Sequence, residues 1–213
     1  MKRRLFLGLG AATAFGAGVP AFADGHAEAP APEAPTGLTL LDDVVMGDPD
    51  APVTVYEYSS FTCPHCKNFH LDVLPQFKAD YIDTGKVRLV YREVYFDRPG
   101  LWAALVARCG GDMRYFGIVD MLFQKQRDWI GDGQGPTIAA NLRGIGLASG
   151  LTDAEMDVCL TDGAGAQALI DRYEGSMEEY DITGTPTLIV NGEKVTPASF
   201  EALSEAVDAA LES

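Results

Sequence analysis

The chain has 213 residues, 47% of them hydrophobic, enough for one domain with a sizeable core or one domain carrying an insertion. With 31 acidic against 16 basic residues, the formal net charge is −15 at pH 7. That balance excludes the basic footprint expected of a nucleic-acid binder or of a protein held on an anionic membrane surface.

Residues 1–23 read as an export signal. Lys2-Arg3-Arg4 is a basic start, Leu5 to Val19 is apolar, and Ala21-Phe22-Ala23 supplies the small-x-small pattern before cleavage. The apolar stretch falls short of the ~20 residues that span a bilayer. Arg3-Arg4-Leu5-Phe6-Leu7 fits a twin-arginine signal as well as an ordinary secretory one, and both routes stay open. Either leads to an oxidising compartment, the periplasm, where disulfides persist. Residues 24–43 are Ala/Pro-rich and read as a flexible tether, with His26 incidental.

The folded domain is expected over 44–213. A short apolar piece, Leu38 to Met46, precedes the turn signal Gly47-Asp48-Pro49 and offers an edge strand. Val53 to Tyr58 alternates as a strand. Lys67 to Tyr81 reads as a helix, with Pro75 expected to kink or split it. Val87 to Tyr91 is a second strand, so the opening order suits a parallel βαβ unit. From about 98 to 180 the pattern is all helical, with helices expected near 99–109, 112–129, 136–148, 153–160 and 164–180. Thr152-Asp153-Ala154-Glu155 fits a capping box at the start of one of them. Gly184-Thr185-Pro186 then leads into Thr187 to Val190, and Asn191-Gly192 signals a hairpin to Glu193-Lys194-Val195. A closing amphipathic helix carries Phe200, Leu203, Val207 and Leu211 on one stripe. The fold class is α/β, β-α-β … β-β-α, with a helical insertion between the halves.

Cys63-Pro64-His65-Cys66 sits where the strand meets the helix. This spacing puts Cys63 at the helix N-terminus, where the dipole lowers a thiol pKa from ~8.5 into the range ~3.5–7.5. Cys63 is therefore the expected nucleophile and Cys66 its more buried resolving partner. Stabilising the thiolate favours the reduced form and makes the disulfide more oxidising. Pro64 suits the first helical position, and His65 is expected to add a hydrogen bond or positive charge near the Cys63 sulfur. A bridge across a two-residue gap stabilises little, so a purely structural disulfide is the weaker reading. A zinc site would need four ligands, which the pair does not find nearby. No metal or cofactor is expected. Alternation with Val53 and Val55 turns Glu57 inward beneath the cysteines, where a carboxylate can relay protons; a solvated strand residue is the alternative. His70 reads as a solvated helix residue. Trp102, Tyr115, Phe116, Phe123 and Trp129 read as core of the insertion.

The order of elements, Glu57-Tyr58-Ser59-Ser60-Phe61-Thr62-Cys63-Pro64-His65-Cys66 and Gly184-Thr185-Pro186-Thr187 together resemble the DsbA family of exported thiol–disulfide oxidoreductases. The likeness runs from about Val44 to Leu211. It implies a thioredoxin fold, Pro64-His65 as the dipeptide that tunes the potential, and Pro186 as a cis-proline facing the cysteines, with Thr185 against the sulfurs. It also supports a proton-relaying role for Glu57. Cys109 and Cys159 complete an even cysteine count in an oxidising compartment, which favours a second bridge over two separate buried thiols. Their pairing resembles the arrangement in some alphaproteobacterial DsbA proteins.

The resemblance implies a monomeric dithiol oxidase acting on reduced exported proteins and reoxidised by a membrane thiol-oxidase partner. The tether lacks the apolar periodicity of an oligomerisation segment, which favours that reading. A disulfide isomerase or reductase of the same fold is the alternative, since Thr before the cis-proline also occurs among isomerase-type relatives.

Overall fold

The structure, a computed structural model, describes residues 43–213. The expected export signal and all but the last residue of the expected tether lie outside the described residues.

Strand β1 (Val44–Met46) lies antiparallel to β3 (Val87–Glu93), and β3 lies parallel to β2 (Val53–Ser59). Strand β4 (Thr187–Val190) pairs antiparallel with β2, and β5 (Glu193–Val195) with β4. The five strands therefore run in the order β1-β3-β2-β4-β5. The central strand β2 is paired on both sides, and alternation decides what each of its residues meets. Val53 and Val55 enter the main core with Leu89, Phe77 and Leu203, whereas Tyr58 enters a smaller core on the opposite face with Ile182 and Ile189.

The β2–β3 crossover is one helical run over 64–82 with changing pitch. It is α-helical in α1 (Pro64–Asn68) and α2 (Leu74–Phe77), and π-helical in Phe69–Val73 and Lys78–Ile82. Pro75 stands in the first turn of α2, directly after the π-helical Phe69–Val73, so the change of pitch accommodates its missing N–H and the run continues without the expected split.

The insertion contains α3 (Arg98–Cys109), α4 (Gly111–Gln124), α5 (Gln126–Ile130), α6 (Gly135–Ala148), α7 (Asp153–Thr161) and α8 (Gly163–Glu179). The helix expected over 112–129 is in fact two, broken at Lys125 (φ −100°, ψ 20°). The break lets Trp129 bury completely and donate from Nε1 to the Leu122 carbonyl at 2.8 Å. The capping box is present, with Thr152 Oγ1 accepting from Glu155 N and Glu155 Oε2 accepting from Thr152 N. Leu203 and Val207 anchor α9 (Phe200–Leu211) in the core, while Leu211 at the end of the expected stripe is exposed. Tyr115, Phe123 and Trp129 are buried; Trp102 and Phe116 pack at the edge of the core. No described helix is long and apolar enough to cross a membrane.

Candidate active site

Cys63 occupies the N-cap of α1 with extended backbone (φ −77°, ψ 122°) and Pro64 follows in the first helical turn. Its N–H donates to Ser60 O at 3.1 Å, closing the turn that joins β2 to the helix. Cys63 is half-buried and Cys66, one turn on, is fully buried. The Cys66 thiol donates toward Cys63 and drives its pKa down to about 5; partial burial opposes this, and Thr185 with the backbone N–H groups of Cys66 and His65 reinforces it. Cys66 moves the other way, held well up by that same donation and by burial. One sulfur is thus an accessible thiolate at neutral pH and the other a thiol.

His65 reaches Cys63 through its backbone N–H, and its side chain is exposed. The main chain contributes here because the helix start aims successive amides at the N-cap sulfur. Opposite the helix, Thr185–Pro186 is a cis peptide, and Thr185 O lies 3.5 Å from Cys63 Sγ. His65, Asn68, Phe69, Asp72, Thr185 and Pro186 border a groove of ≈ 380 Å³ beside the cysteines.

Beneath the pair, Glu57 is completely buried on the core face of β2. Burial lifts its carboxyl from 4.5 to about 7, partly offset by the charge of His70 and by Ser59. Neither carboxylate oxygen has a hydrogen-bond partner among the described residues. The Ser59 hydroxyl adjoins both Glu57 and Cys66 without a well-formed hydrogen bond to either.

His70 is not solvated. It is 4% exposed, its ring lies 4.7 Å from that of Phe123, and its Nε2 meets Asp120 Oδ1 at 2.6 Å. The wider turn of the π-helical stretch changes which residues face the insertion, so α-helical periodicity misplaces this one.

Two further residues hold the Cys63 turn. Buried Gln126 donates from Nε2 to Phe61 O (2.8 Å) and Cys63 O (3.0 Å). Asp97 accepts from Thr62 Oγ1 (2.7 Å) and from Gly100 N (2.7 Å), so the N-cap of α3 is also tied to the turn. Asp97 before Arg98-Pro99 carries a readable capping signal. Nothing local distinguishes Gln126 from any other polar residue of a surface helix.

Cys109 and Cys159 are disulfide-bonded, with Cα atoms 6.0 Å apart, and join the ends of α3 and α7 within the insertion. Among the described residues no group of three or more His, Cys, Asp or Glu side chains is assembled to hold a metal ion.

The family model described as thioredoxin matches residues 39–209. A putative protein-disulfide oxidoreductase from Rickettsia bellii is 34% identical over 172 residues, covering 80% of this chain and 65% of that protein. Disulfide bond formation protein D from Bacillus subtilis is 26% identical, with coverage of 78% and 76%. Among solved structures, Wolbachia pipientis alpha-DsbA1 superposes with a TM-score of 0.74 at 26% identity, covering 82% of this chain and 94% of that one. The chain thus spans a little under two thirds of the Rickettsia bellii protein.

Proposed function

The chain belongs to the thioredoxin family, among its DsbA-like members, and from that premise we propose that it is a protein thiol–disulfide oxidoreductase working through Cys63 and Cys66. The observation that carries the reading is the split between the two sulfurs: Cys63 half-exposed and pushed down to about 5, Cys66 buried and pushed up. A thiolate held at one end of the pair stabilises the dithiol state relative to the disulfide. The oxidised protein then gives its disulfide away readily.

In the oxidase direction a substrate thiolate attacks Cys63 Sγ, and the Cys63–Cys66 bond breaks with its electron pair leaving on Cys66. Cys66 takes up a proton, for which Glu57 is the assigned donor. A second substrate thiolate attacks its own sulfur in the mixed disulfide, and Cys63 leaves as thiolate. The substrate is oxidised by two electrons and the protein reduced by two. The groove bordered by His65, Phe69, Thr185 and Pro186 supplies a surface for the substrate backbone beside Cys63. Substrates are reduced proteins of an exported compartment, reached through the leader at 1–23, and a membrane thiol oxidase restores the disulfide. The protein acts as a monomer. Cys109–Cys159 serves as a structural bridge.

Cys63→Ala is expected to abolish disulfide formation in a reduced dithiol peptide, followed by mass or fluorescence. A variant retaining that activity would falsify the assignment. Equilibration against a glutathione series separates oxidase from isomerase or reductase: a potential near about −120 mV marks an oxidant, one near about −270 mV a reductant.

A further inference from the structure

Resting on the oxidoreductase reading, we propose that His70 and Asp120 form the proton path between buried Glu57 and solvent, so that His70 acts through Glu57 on every redox cycle. Three observations carry this. First, Glu57 has no hydrogen-bond partner among the described residues and no exposed surface, so it cannot exchange protons with water directly. Second, His70 is buried and its Nδ1 also lacks a partner, while its Nε2 is engaged outward at 2.6 Å by Asp120. The Asp120 side chain is 58% exposed, so the chain of groups ends in water. Third, His70 is the charged group that most offsets the effect of burial on Glu57, which puts the two in electrostatic reach.

The tautomer follows from the partners. An ionised Asp120 only accepts, so Nε2 carries a hydrogen, and in the neutral ring Nδ1 is left as the inward-facing acceptor. Imidazole then moves protons without a large motion: it receives one on one nitrogen and releases another from the other. The groups facing Glu57 are Ser59 on β2, Tyr91 on β3 and His70 on the π-helical stretch, with Cys66 on α1 reached across Ser59. Tyr91 is itself pushed well above its usual value by burial, then by Glu57, and does not serve as the acid. Asp120 on α4 is the carboxylate against His70, and Phe61, Phe123 and Tyr91 wall the site with rings.

In the oxidase direction the balance is simple. Glu57 gives its proton to the Cys66 thiolate as the internal disulfide opens, and becomes a carboxylate. A proton taken up at Nε2 from solvent by way of Asp120 lets His70 release the one on Nδ1 to Glu57, which leaves the neutral ring of the reduced protein with its hydrogen on Nε2. Reoxidation runs the path backwards, with the Cys66 proton leaving through Glu57 and His70. No external redox reagent is needed beyond substrate and reoxidant.

The relay matters most where Glu57 is already ionised, above about pH 7. The test follows reduction of the oxidised full-length protein by a dithiol peptide from pH 5.5 to 9, monitored by tryptophan fluorescence. His70→Gln keeps a donor for Asp120 but cannot relay. It is expected to match the parent protein near pH 5.5 and to react about tenfold more slowly at pH 8.5, at the low end of general acid–base effects. The Cys63 thiolate titration, read at 240 nm, is expected to stay where it was, which a general distortion of the site would not allow. Asp120→Ala, at the surface, should lose roughly threefold at pH 8.5 by the same argument. Rates for both variants that equal the parent's at every pH overturn the proposal, as does a deficit independent of pH. If His70→Gln does not fold, Asp120→Ala alone decides by the same criterion. If the parent protein exchanges no faster than Cys63→Ala, the oxidoreductase reading itself has failed.

Discussion

Glu57 and Glu93 present the same side-chain chemistry at nearly the same burial, 0% and 6% exposed, on the same face of adjacent parallel strands. Their surroundings differ completely. Glu93 receives Arg108 bidentately, Nε to Oε1 at 2.7 Å and Nη2 to Oε2 at 2.6 Å, and the Tyr115 hydroxyl at 2.6 Å. Glu57, beside Tyr91 in the strand register, receives no hydrogen bond from a described residue. A buried carboxylate whose lone pairs are filled by Arg108 and Tyr115 ties β3 to the insertion. One left unfilled is costly when charged and is free to titrate. Burial alone does not separate an acid held by partners from one left free to titrate, whereas the inventory of donors around it does.

The sharpest way to break the contrast is to strip Glu93 of its cation. Arg108→Met leaves a buried carboxylate with Tyr115 as its remaining strong donor, and a stability loss of about 3–5 kcal/mol is expected in urea or guanidinium unfolding. The neighbouring Cys109–Cys159 bridge stays intact, so the loss reports on the ion pair and not on the cross-link. A loss under about 1 kcal/mol would mean that Arg108 adds little to the fold at Glu93, and the contrast between the two acids would fail.

Glu57→Gln should act in the opposite sense. The folded-state pKa of Glu57 is raised to about 7 from 4.5, so its favourable contribution holds below pH 4.5 and is lost as pH climbs through 7. The full span corresponds to about 3 kcal/mol. Unfolding at pH 8.5 should therefore show the amide variant more stable than the parent by roughly 2–3 kcal/mol, with the difference closing toward pH 4. Gain in stability should come with slower exchange if Glu57 gives its proton to Cys66 as proposed. If the variant is instead less stable at pH 8.5, Glu57 has a partner in solution and the contrast with Glu93 is lost.

What the sequence disclosed follows the same division. Elements with local chemistry were readable: the alternating β2, the Cys63-Pro64-His65-Cys66 junction, the Thr152 capping box and the Asn191-Gly192 hairpin each declare themselves within a few residues. Alternation even turned Glu57 to the correct face. Long-range satisfaction was not readable. His70 reads as solvated because its own helix, counted at 3.6 residues per turn, gives no reason to bury it; the reason is Asp120 and Phe123, some 50 residues away. Arg108 meeting Glu93 and Gln126 meeting the Cys63 turn belong to the same class. Polar partners contributed by an insertion leave no periodic mark on the segment they serve.

Gln126 offers the mildest test, because it joins a satisfied region to a reactive one. Its amide caps two carbonyls of the turn that presents Cys63, yet only one of them depends on it. Cys63 O also accepts from Lys67 N at 3.2 Å, whereas the Phe61 carbonyl finds its donor in Gln126. Gln126→Ala should therefore cost about 1–2 kcal/mol, the value of one buried acceptor left unmet, and not twice that. The helix start and its amides remain, so the Cys63 thiolate titration should hardly move while the denaturation midpoint falls. Were the titration to rise with the midpoint unchanged, Gln126 would belong with Glu57, as part of what sets the chemistry, and not with the groups that merely hold the turn in place.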